Sequence, residues 1–441
     1  MKSFTARSFE TEPARIPEAV LARLEEDPRA LFTDFQWFLY EGRDTVFFTA
    51  FARQPIDAAG AQTLVANMVA LAPQLTHGFV GARPGEPLTA EQIAAITTVV
   101  TVDDFDGYPD KWLGPSADIF AAETLPLFRV MVANRRGGPD GEGRAAIIQV
   151  RSAHALLEGS DSALLTRSQP AGHGLLSDKS NKIGIGARLG GVIGAGLMTA
   201  IHLFFAYVLS PSDKPIYART LAIPRKRLRD LANALGVRQR SLYFALVTHA
   251  LNGDGPKKAM SDKAILATYT QVGGKRNEAD DDFFRVRTHS AKFPVADDFL
   301  TYVQAVDELV GRIEQKDISE MQIKILAMFG MHRRLHRLAP WIHGPRFWRF
   351  SGAMHMVLTL VPPHHIHGPM TQGMIEPIYC GAFHPSTNIC TFCPGRDYVT
   401  FNLTMEARHI ANADKIMPLL ERVEAMVSGS AAGSATLTEA V

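Results

Sequence analysis

Cysteine is scarce in this chain, with three residues among 441. Three thiols in a chain of this length do not make a disulfide framework, and the N-terminal segment that begins Met1-Lys2-Ser3 is not an apolar signal segment. We therefore expect a protein of the reducing cytoplasm. An excess of charge of one sign is also lacking, because 46 basic residues stand against 45 acidic ones. This near balance gives no reason to expect nucleic acid as a partner.

Cofactor-binding loops and metal-ligand patterns are missing or weak. No Gly-x-Gly-x-x-Gly follows a strand, so a dinucleotide-binding fold is not indicated and no cofactor is expected. Cys380, Cys390 and Cys393, with His384 and the histidine run at 364–367, resemble zinc ligands at first sight. A Cys-x-x-Cys pair inside a strand directs its side chains to different faces, so four ligands would not converge. We predict no metal site.

The composition, with 46% hydrophobic residues, allows two or more domains. The hydrophobic pattern predicts two α/β segments joined by a linker. Strands are predicted at 45–52, 97–102, 127–133, 145–150, 216–223, 263–272, 284–293, 354–361, 373–383, 388–392 and 398–405. Helices are predicted from Pro17, at 57–71, between Pro224 and Gly236, after Gly236, at 297–315 and from about Ala411.

One predicted strand ends in residues that suit acid–base chemistry. The apolar run at 145–150 leads into Ala-His-Ala-Leu-Leu-Glu-Gly at 153–159. The strand would fix the imidazole of His154, the turn would bring Glu158 back towards it, and Gly159 would allow a tight bend. An imidazole can accept the proton of a hydroxyl or amine that attacks an acyl carbon. From spacing alone, a structural histidine is the alternative interpretation.

Over about residues 28–427 the chain resembles the wax ester synthase/diacylglycerol acyltransferase family, part of the CoA-dependent acyltransferase superfamily. That family carries His-His-x-x-x-Asp-Gly at the end of a strand, where this chain has Ala-His-Ala-Leu-Leu-Glu-Gly. The order of elements before His154, the segment at 219–224 and the Val-Pro-Pro at 361–363 follow the family as well.

Three departures from the family pattern affect the predicted site. Ala153 replaces the first histidine of the motif, and Glu158 replaces its aspartate. The family's Ser-Asn-Val-Pro-Gly-Pro is Thr-Leu-Val-Pro-Pro-His at 359–364, which keeps a hydroxyl at Thr359 and loses the asparagine. The second histidine is the family's general base, and His154 occupies its position.

The resemblance implies an α/β fold with two chloramphenicol-acetyltransferase-like halves and an interdomain tunnel. Residues 17–180 would form the N-terminal half, 181–215 an apolar linker helix and 216–428 the C-terminal half. His154 and Glu158 are the implied catalytic residues, with Gly159 and Thr359 in support. The implied reaction esterifies a hydrophobic alcohol or diacylglycerol with a long-chain acyl group from acyl-CoA, which is a substrate and not a cofactor.

Two other functions stay open at this point. Ala153, Glu158 and the lost asparagine suit a degenerate member that binds acyl-CoA or lipid without catalysis. A condensation-type acyltransferase with an amine or carrier-bound substrate is the second alternative. The apolar linker and a basic, aromatic-rich stretch at 331–350 favour a lipid acceptor.

Residues 189–209 carry no charged side chain and approach the roughly 20 residues of a membrane span. A span would put the two halves on opposite sides of the membrane, so we predict either a buried linker helix or a helix that lies on one leaflet. Gly186, Gly190 and Gly194 would form its close-packing face. With the 331–350 stretch, this favours peripheral contact with the inner face of the membrane, where lipid substrate would be taken up.

Overall fold

The structure of the protein is a computed structural model. It describes residues 37, 39–40, 44–71, 75, 88–112, 127–154, 186, 189–190, 193, 196–197, 216–252, 266–272, 286–294, 296–314, 333–334, 337, 355–361, 374–384 and 388–438. These residues form two mixed sheets, each packed against helices, so the prediction of an α/β fold with two halves is confirmed.

The first sheet has five strands in the order β2-β3-β4-β1-β9. Its strands are β1 (Thr45–Ala52), β2 (Thr97–Val102), β3 (Phe128–Arg135), β4 (Ala146–Ala153) and β9 (Met374–Phe383). Two helices pack on it, α1 (Ala58–Leu71) and α2 (Ala90–Ile96). All neighbouring strands are antiparallel except the parallel pair β2 and β3.

Strands β1 and β4 lie next to each other inside this sheet, and every one of their residues is buried. The sequence of β1, TVFFTAFA, suits this position because β-branched and aromatic side chains pack well on both faces of a strand. Phe48 packs into the core beneath α1. Phe47 and Phe51 lie on the opposite face, where they pack with Ala218 and Ala222 of the second half.

The second sheet has six strands in the order β5-β11-β10-β8-β6-β7. Its strands are β5 (Ile216–Pro224), β6 (Leu266–Val272), β7 (Val286–Lys292), β8 (His355–Leu360), β10 (Asn388–Pro394) and β11 (Tyr398–Glu406). Its helices are α3 (Arg225–Leu235), α4 (Gln239–Asn252), α5 (Phe299–Glu314), the short α6 (Ala407–Ile410) and α7 (Ile416–Thr438). Phe392 and Phe401, with ring centroids 4.9 Å apart, form the aromatic centre of this core.

Strand β9 connects the halves. It follows β8 in the chain, yet it pairs with β1 at the edge of the first sheet. The carbonyl groups of alternate residues on its outer edge accept hydrogen bonds from side chains of the second sheet. The donors and acceptors are Thr400 Oγ1 to Ile378 O at 2.8 Å, Cys393 Sγ to Cys380 O at 3.2 Å, and Thr404 Oγ1 to Ala382 O at 2.9 Å. No described strand pairs with this edge, so side chains of the other half supply the hydrogen bonds that its carbonyl groups need.

Most predicted elements agree with the structure within a few residues, and β1 and β2 have the predicted bounds. Gly236 ends α3 in the left-handed conformation with φ of 67°, as its position predicts. The seven-residue α2 was not predicted, although Thr89 and Gln92 form a capping box at its start. The last helix begins at Ile416 instead of near Ala411, because α6 and a further helical turn precede it. The helix predicted from Pro17 lies outside the described residues.

Six positions of the linker are described, and all are helical and exposed. Leu189, Ile193 and Leu197 are 62%, 68% and 64% exposed. Among the residues that the structure describes, nothing lies within 4 Å of a Cβ placed on Gly186 or Gly190, so the close-packing face stays a prediction. None of the helices in the described part of the chain combines the length and apolar character that a bilayer crossing requires.

Candidate active site

At one edge of the first sheet, three neighbouring strands each have an ionisable residue directly beyond their terminal residue. His154 follows the end of β4, Asp44 precedes the start of β1, and His384 follows the end of β9. Because Thr45 pairs in register with the last residue of each neighbouring strand, Asp44 stands between the two histidines. We call His154, Asp44 and His384 the strand-end row.

Asp44 contacts both histidines of the strand-end row. Its carbonyl oxygen accepts a hydrogen bond of 2.8 Å from the backbone N–H of His154. Its carboxyl oxygen Oδ1 lies 3.3 Å from His384 Nε2. The backbone N–H of Asp44 donates to Leu39 O at 3.0 Å, which holds the start of β1 in place. Backbone hydrogen bonds to Leu39 and His154 therefore hold Asp44 in place.

Burial opposes charge on both partners of the Asp44–His384 contact. Asp44 and His384 are 7% and 8% exposed. Burial raises the pKa of the Asp44 carboxyl well above its ordinary value, and it lowers the pKa of His384 to about 3, helped by the charge of His154. The distance alone would allow an ion pair, but burial opposes charge on both partners. Burial therefore favours the arrangement in which the carboxyl group holds the proton and the imidazole is neutral.

His154 is neutral as well, and part of it remains accessible to solvent. Burial of its ring lowers the pKa from 6.5 to about 4. The guanidinium of the buried residue Arg151 lies over the Phe383 ring, 5.7 Å from its centroid. A neutral imidazole can accept a proton from a bound group.

The lowered pKa of His154 predicts an unusual pH profile for any reaction in which it is the base. The base is active when neutral, so kcat/KM falls only as the pH approaches about 4. Between pH 7 and 5.5 we expect a change below about twofold, whereas a base with pKa 6.5 would lose roughly eightfold. The measurement is kcat/KM across this range, and an acid limb centred near 6.5 would contradict the assignment.

The other residues implied by the resemblance are placed only in part. Glu158 and Gly159 lie outside the described residues, so their roles stay predictions. Thr359 lies in β8, in register with Thr391 of β10, and so on the face of the second sheet that contacts the first half. Within the described part of the chain its hydroxyl makes no hydrogen bond to the strand-end row. Its role also stays a prediction.

Ala153, at the position of the family's first histidine, is buried in the core of the first half. The methyl group leaves no polar side chain at this position, so acid–base chemistry at the motif depends on its neighbour His154.

The three cysteine side chains pack in the hydrophobic cores of the two halves. Cys390 lies in the core of the second half and Cys393 in that of the first, on opposite faces of β10. Among the described residues, no group of three or more His, Cys, Asp or Glu side chains could hold a metal ion. The run at 364–367 lies outside the described residues.

Sequence reasoning missed Asp44 and considered His384 only as a zinc ligand. A single aspartate before a strand carries no motif, and its two partners are distant in the sequence. The signal that was present is the pair of histidines that directly follow buried, apolar strands. Register between strands, which the sequence did not provide, is what brings them together.

No family model and no curated protein matches this sequence. Solved structures do match. The wax ester synthase/diacylglycerol acyltransferase from Marinobacter aquaeolei VT8 aligns with a TM-score of 0.52 at 13% identity, over 90% of this chain and 98% of that one. A trichothecene 15-O-acetyltransferase from Fusarium sporotrichioides aligns with a TM-score of 0.53 at 12% identity, over 87% and 91%.

A third solved structure is a cyclization-docking bidomain of a nonribosomal peptide synthetase from Sorangium cellulosum. It aligns with a TM-score of 0.51 at 11% identity, over 93% of both chains. These similarities over nearly the whole length define the fold. The chain has the two-sheet α/β fold of these three proteins, the wax ester synthase among them.

Proposed function

We propose that this protein is an acyl-CoA-dependent O-acyltransferase that esterifies a hydrophobic alcohol or diacylglycerol, with His154 as the general base. The observation that carries the proposal is a neutral imidazole on a partly exposed residue, held at a strand end of an acyltransferase-type fold. It follows a buried strand, and its backbone is fixed by Asp44.

The chemistry requires one group that both accepts and returns a proton. The His154 imidazole takes the proton of the acceptor hydroxyl while that oxygen attacks the thioester carbonyl carbon. When the C–S bond breaks, the imidazolium gives the proton to the departing thiolate, and an ester and free CoA result. An imidazole that is neutral at physiological pH starts this cycle in the required state.

The names of two structural neighbours support the proposal that an acyl group is transferred to an oxygen atom of the acceptor. One is named as a wax ester synthase and diacylglycerol acyltransferase, and another as an O-acetyltransferase. The peptide-synthetase neighbour is the observation that favours the second candidate, an acyltransferase for a carrier-bound or amine substrate. The exposed apolar linker residues favour lipid over these polar substrates.

An acceptor series tests the proposal. Release of free thiol from palmitoyl-CoA is measured with hexadecanol, diacylglycerol or hexadecylamine as the acceptor. We expect release that depends on either hydroxyl acceptor. Release with the amine alone would favour the condensation-type candidate. Binding of palmitoyl-CoA without release under any condition would favour the degenerate binding protein and contradict the proposal.

We also propose that the linker helix places the protein on an anionic membrane surface. Leu189, Ile193 and Leu197 follow one another at four-residue spacing, which puts them on one face of a helix, and all three are exposed. Arg334 and Arg337, also exposed and helical, belong to the basic stretch that would meet lipid headgroups.

Flotation with anionic liposomes tests this surface. Ile193→Glu replaces an inserted apolar side chain by a charge, and we expect membrane partitioning to fall at least about tenfold, because burial of such a side chain contributes roughly 1.5–3 kcal/mol. Val100→Glu is the matched control, since Val100 is also exposed (40%) but lies in β2. Equal flotation of the wild type and both variants would contradict the proposal.

A further inference from the structure

We propose that Asp44 and His384 form a carboxyl–imidazole pair that stabilises the imidazolium of His154 during acyl transfer. The inference rests on the proposed function of His154 and adds two positioning residues to its site. Neither belongs to the histidine motif, and each comes from a different strand.

The placement of the pair is set by backbone geometry. Directly opposed residues of antiparallel strands have Cβ atoms about 4.5–5.5 Å apart, and the register places Asp44 opposite both His154 and His384. On one side the contact is observed, with 3.3 Å between Asp44 Oδ1 and His384 Nε2. On the other side the His154 backbone N–H is bonded to the Asp44 carbonyl.

Among the described residues, Asp44 Oδ1 of the Asp44–His384 pair has fewer hydrogen bonds than a buried polar group that only stabilises the fold normally has. A buried polar pair in a core is normally satisfied by several hydrogen bonds. Asp44 Oδ1 is buried, and no partner in the described part of the chain meets hydrogen-bond geometry with it, including His384 at 3.3 Å. A buried carboxyl oxygen that has no hydrogen bond within the described residues, next to the imidazole of the proposed base, suits a charge that appears only during the reaction.

The pair can respond to that charge by moving its own proton. Before reaction, Asp44 carries the proton and both imidazoles are neutral. When His154 takes the proton of the acceptor hydroxyl, the 3.3 Å contact aligns as a hydrogen bond, and the Asp44 carboxyl group gives its proton to His384 Nε2. A carboxylate then stands between two imidazolium groups. When His154 protonates the leaving thiolate, the proton returns to Asp44. The number of protons in the pair is the same before and after.

Asp44→Asn tests the pair, because asparagine keeps the shape of the side chain and cannot ionise. The interaction exists only when His154 is cationic, so we expect kcat of the full-length protein to fall about tenfold to a hundredfold with KM within about twofold. His384→Gln is expected to have the same effect. A kcat within twofold of wild type in both variants would overturn the inference.

Thr49→Val is the matched control for lost stability. Thr49 and Gln149 are buried on the same two strands, β1 and β4, and share a hydrogen bond of 3.2 Å. This variant removes a buried hydrogen bond from the same strand pair at a distance from the row. We expect its thermal midpoint to fall as far as that of Asp44→Asn, while its kcat stays within twofold. Equal losses of kcat in the two variants would overturn the inference.

A second readout separates failure of this inference from failure of the proposed function. Histidine ring-nitrogen resonances are recorded on the selectively labelled protein at neutral pH. The signals of His154 and His384 are assigned by their loss in His154→Gln and His384→Gln. We expect Asp44→Asn to shift both signals and Thr49→Val to shift neither. If the wild type transfers no acyl group, the proposed function fails, and this spectrum alone decides whether the row is coupled. An unmoved His154 signal would overturn the inference.

Discussion

His154→Ala is expected to lower the rate of acyl transfer by about 10²- to 10⁴-fold, the usual effect of removing a general base. In the proposed mechanism the His154 imidazole accepts the hydroxyl proton, and Ala153 beside it offers no replacement. Binding of palmitoyl-CoA should persist, because the remaining strand ends keep their backbone contacts. The measurement is thiol release with hexadecanol beside acyl-CoA binding.

His249→Asn is the matched control for this substitution. His249 lies in α4 of the second half, where its ring packs edge-on against Phe299 and Tyr302. We expect the rate of this variant to stay within twofold of wild type. Retention of more than a tenth of the wild-type rate in His154→Ala would remove His154 as the base.

Gly381→Ala is expected to lower the free energy of unfolding of the first half by about 1–3 kcal/mol, the usual effect of overpacking a core. A Cβ on Gly381 would stand 2.8 Å from Phe47 Cζ, and the Phe47 side chain is buried and cannot move aside freely. Because β9 ends just before His384, a shift of this strand would also displace the strand-end row, and activity should fall with stability.

Gly141→Ala provides the comparison. Gly141 lies in the turn before β4, nothing lies within 4 Å of a Cβ placed there, and its φ is not positive. We expect its unfolding free energy to change by less than about 0.5 kcal/mol. Thermal or denaturant unfolding of both variants measures the difference. Similar stability of the two proteins would show that β9 does not pack as tightly on β1 as described.

The sequence was most informative where local chemistry decides the structure. The β-branched and aromatic run of β1 predicted a buried strand with the observed bounds, and Gly236 predicted the end of α3. It was least informative for β9, which was predicted as a strand but not as a member of the first sheet. Its place depends on pairing with β1, which is distant in the chain, and on side chains of β10 and β11 that complete its outer edge.

The candidate site, like the fold, could be predicted from the sequence only in part. His154 carries a motif and could be proposed from the sequence, because a histidine at the end of an apolar strand is visible there. Asp44 carried none. Its importance comes from register, which sets it between two histidines that follow it in the chain by long and unequal intervals. No periodicity or spacing rule in one sequence contains that information.

The most direct test of the proposed acyl transfer is the fate of the acyl group itself. Deuterated palmitoyl-CoA and hexadecanol are incubated with the wild-type protein, and the labelled products are quantified by mass spectrometry together with free CoA. We expect labelled hexadecyl palmitate in equal amount to the CoA released. Labelled palmitic acid in place of the ester, or unchanged thioester, would contradict transfer of the acyl group to a lipid hydroxyl.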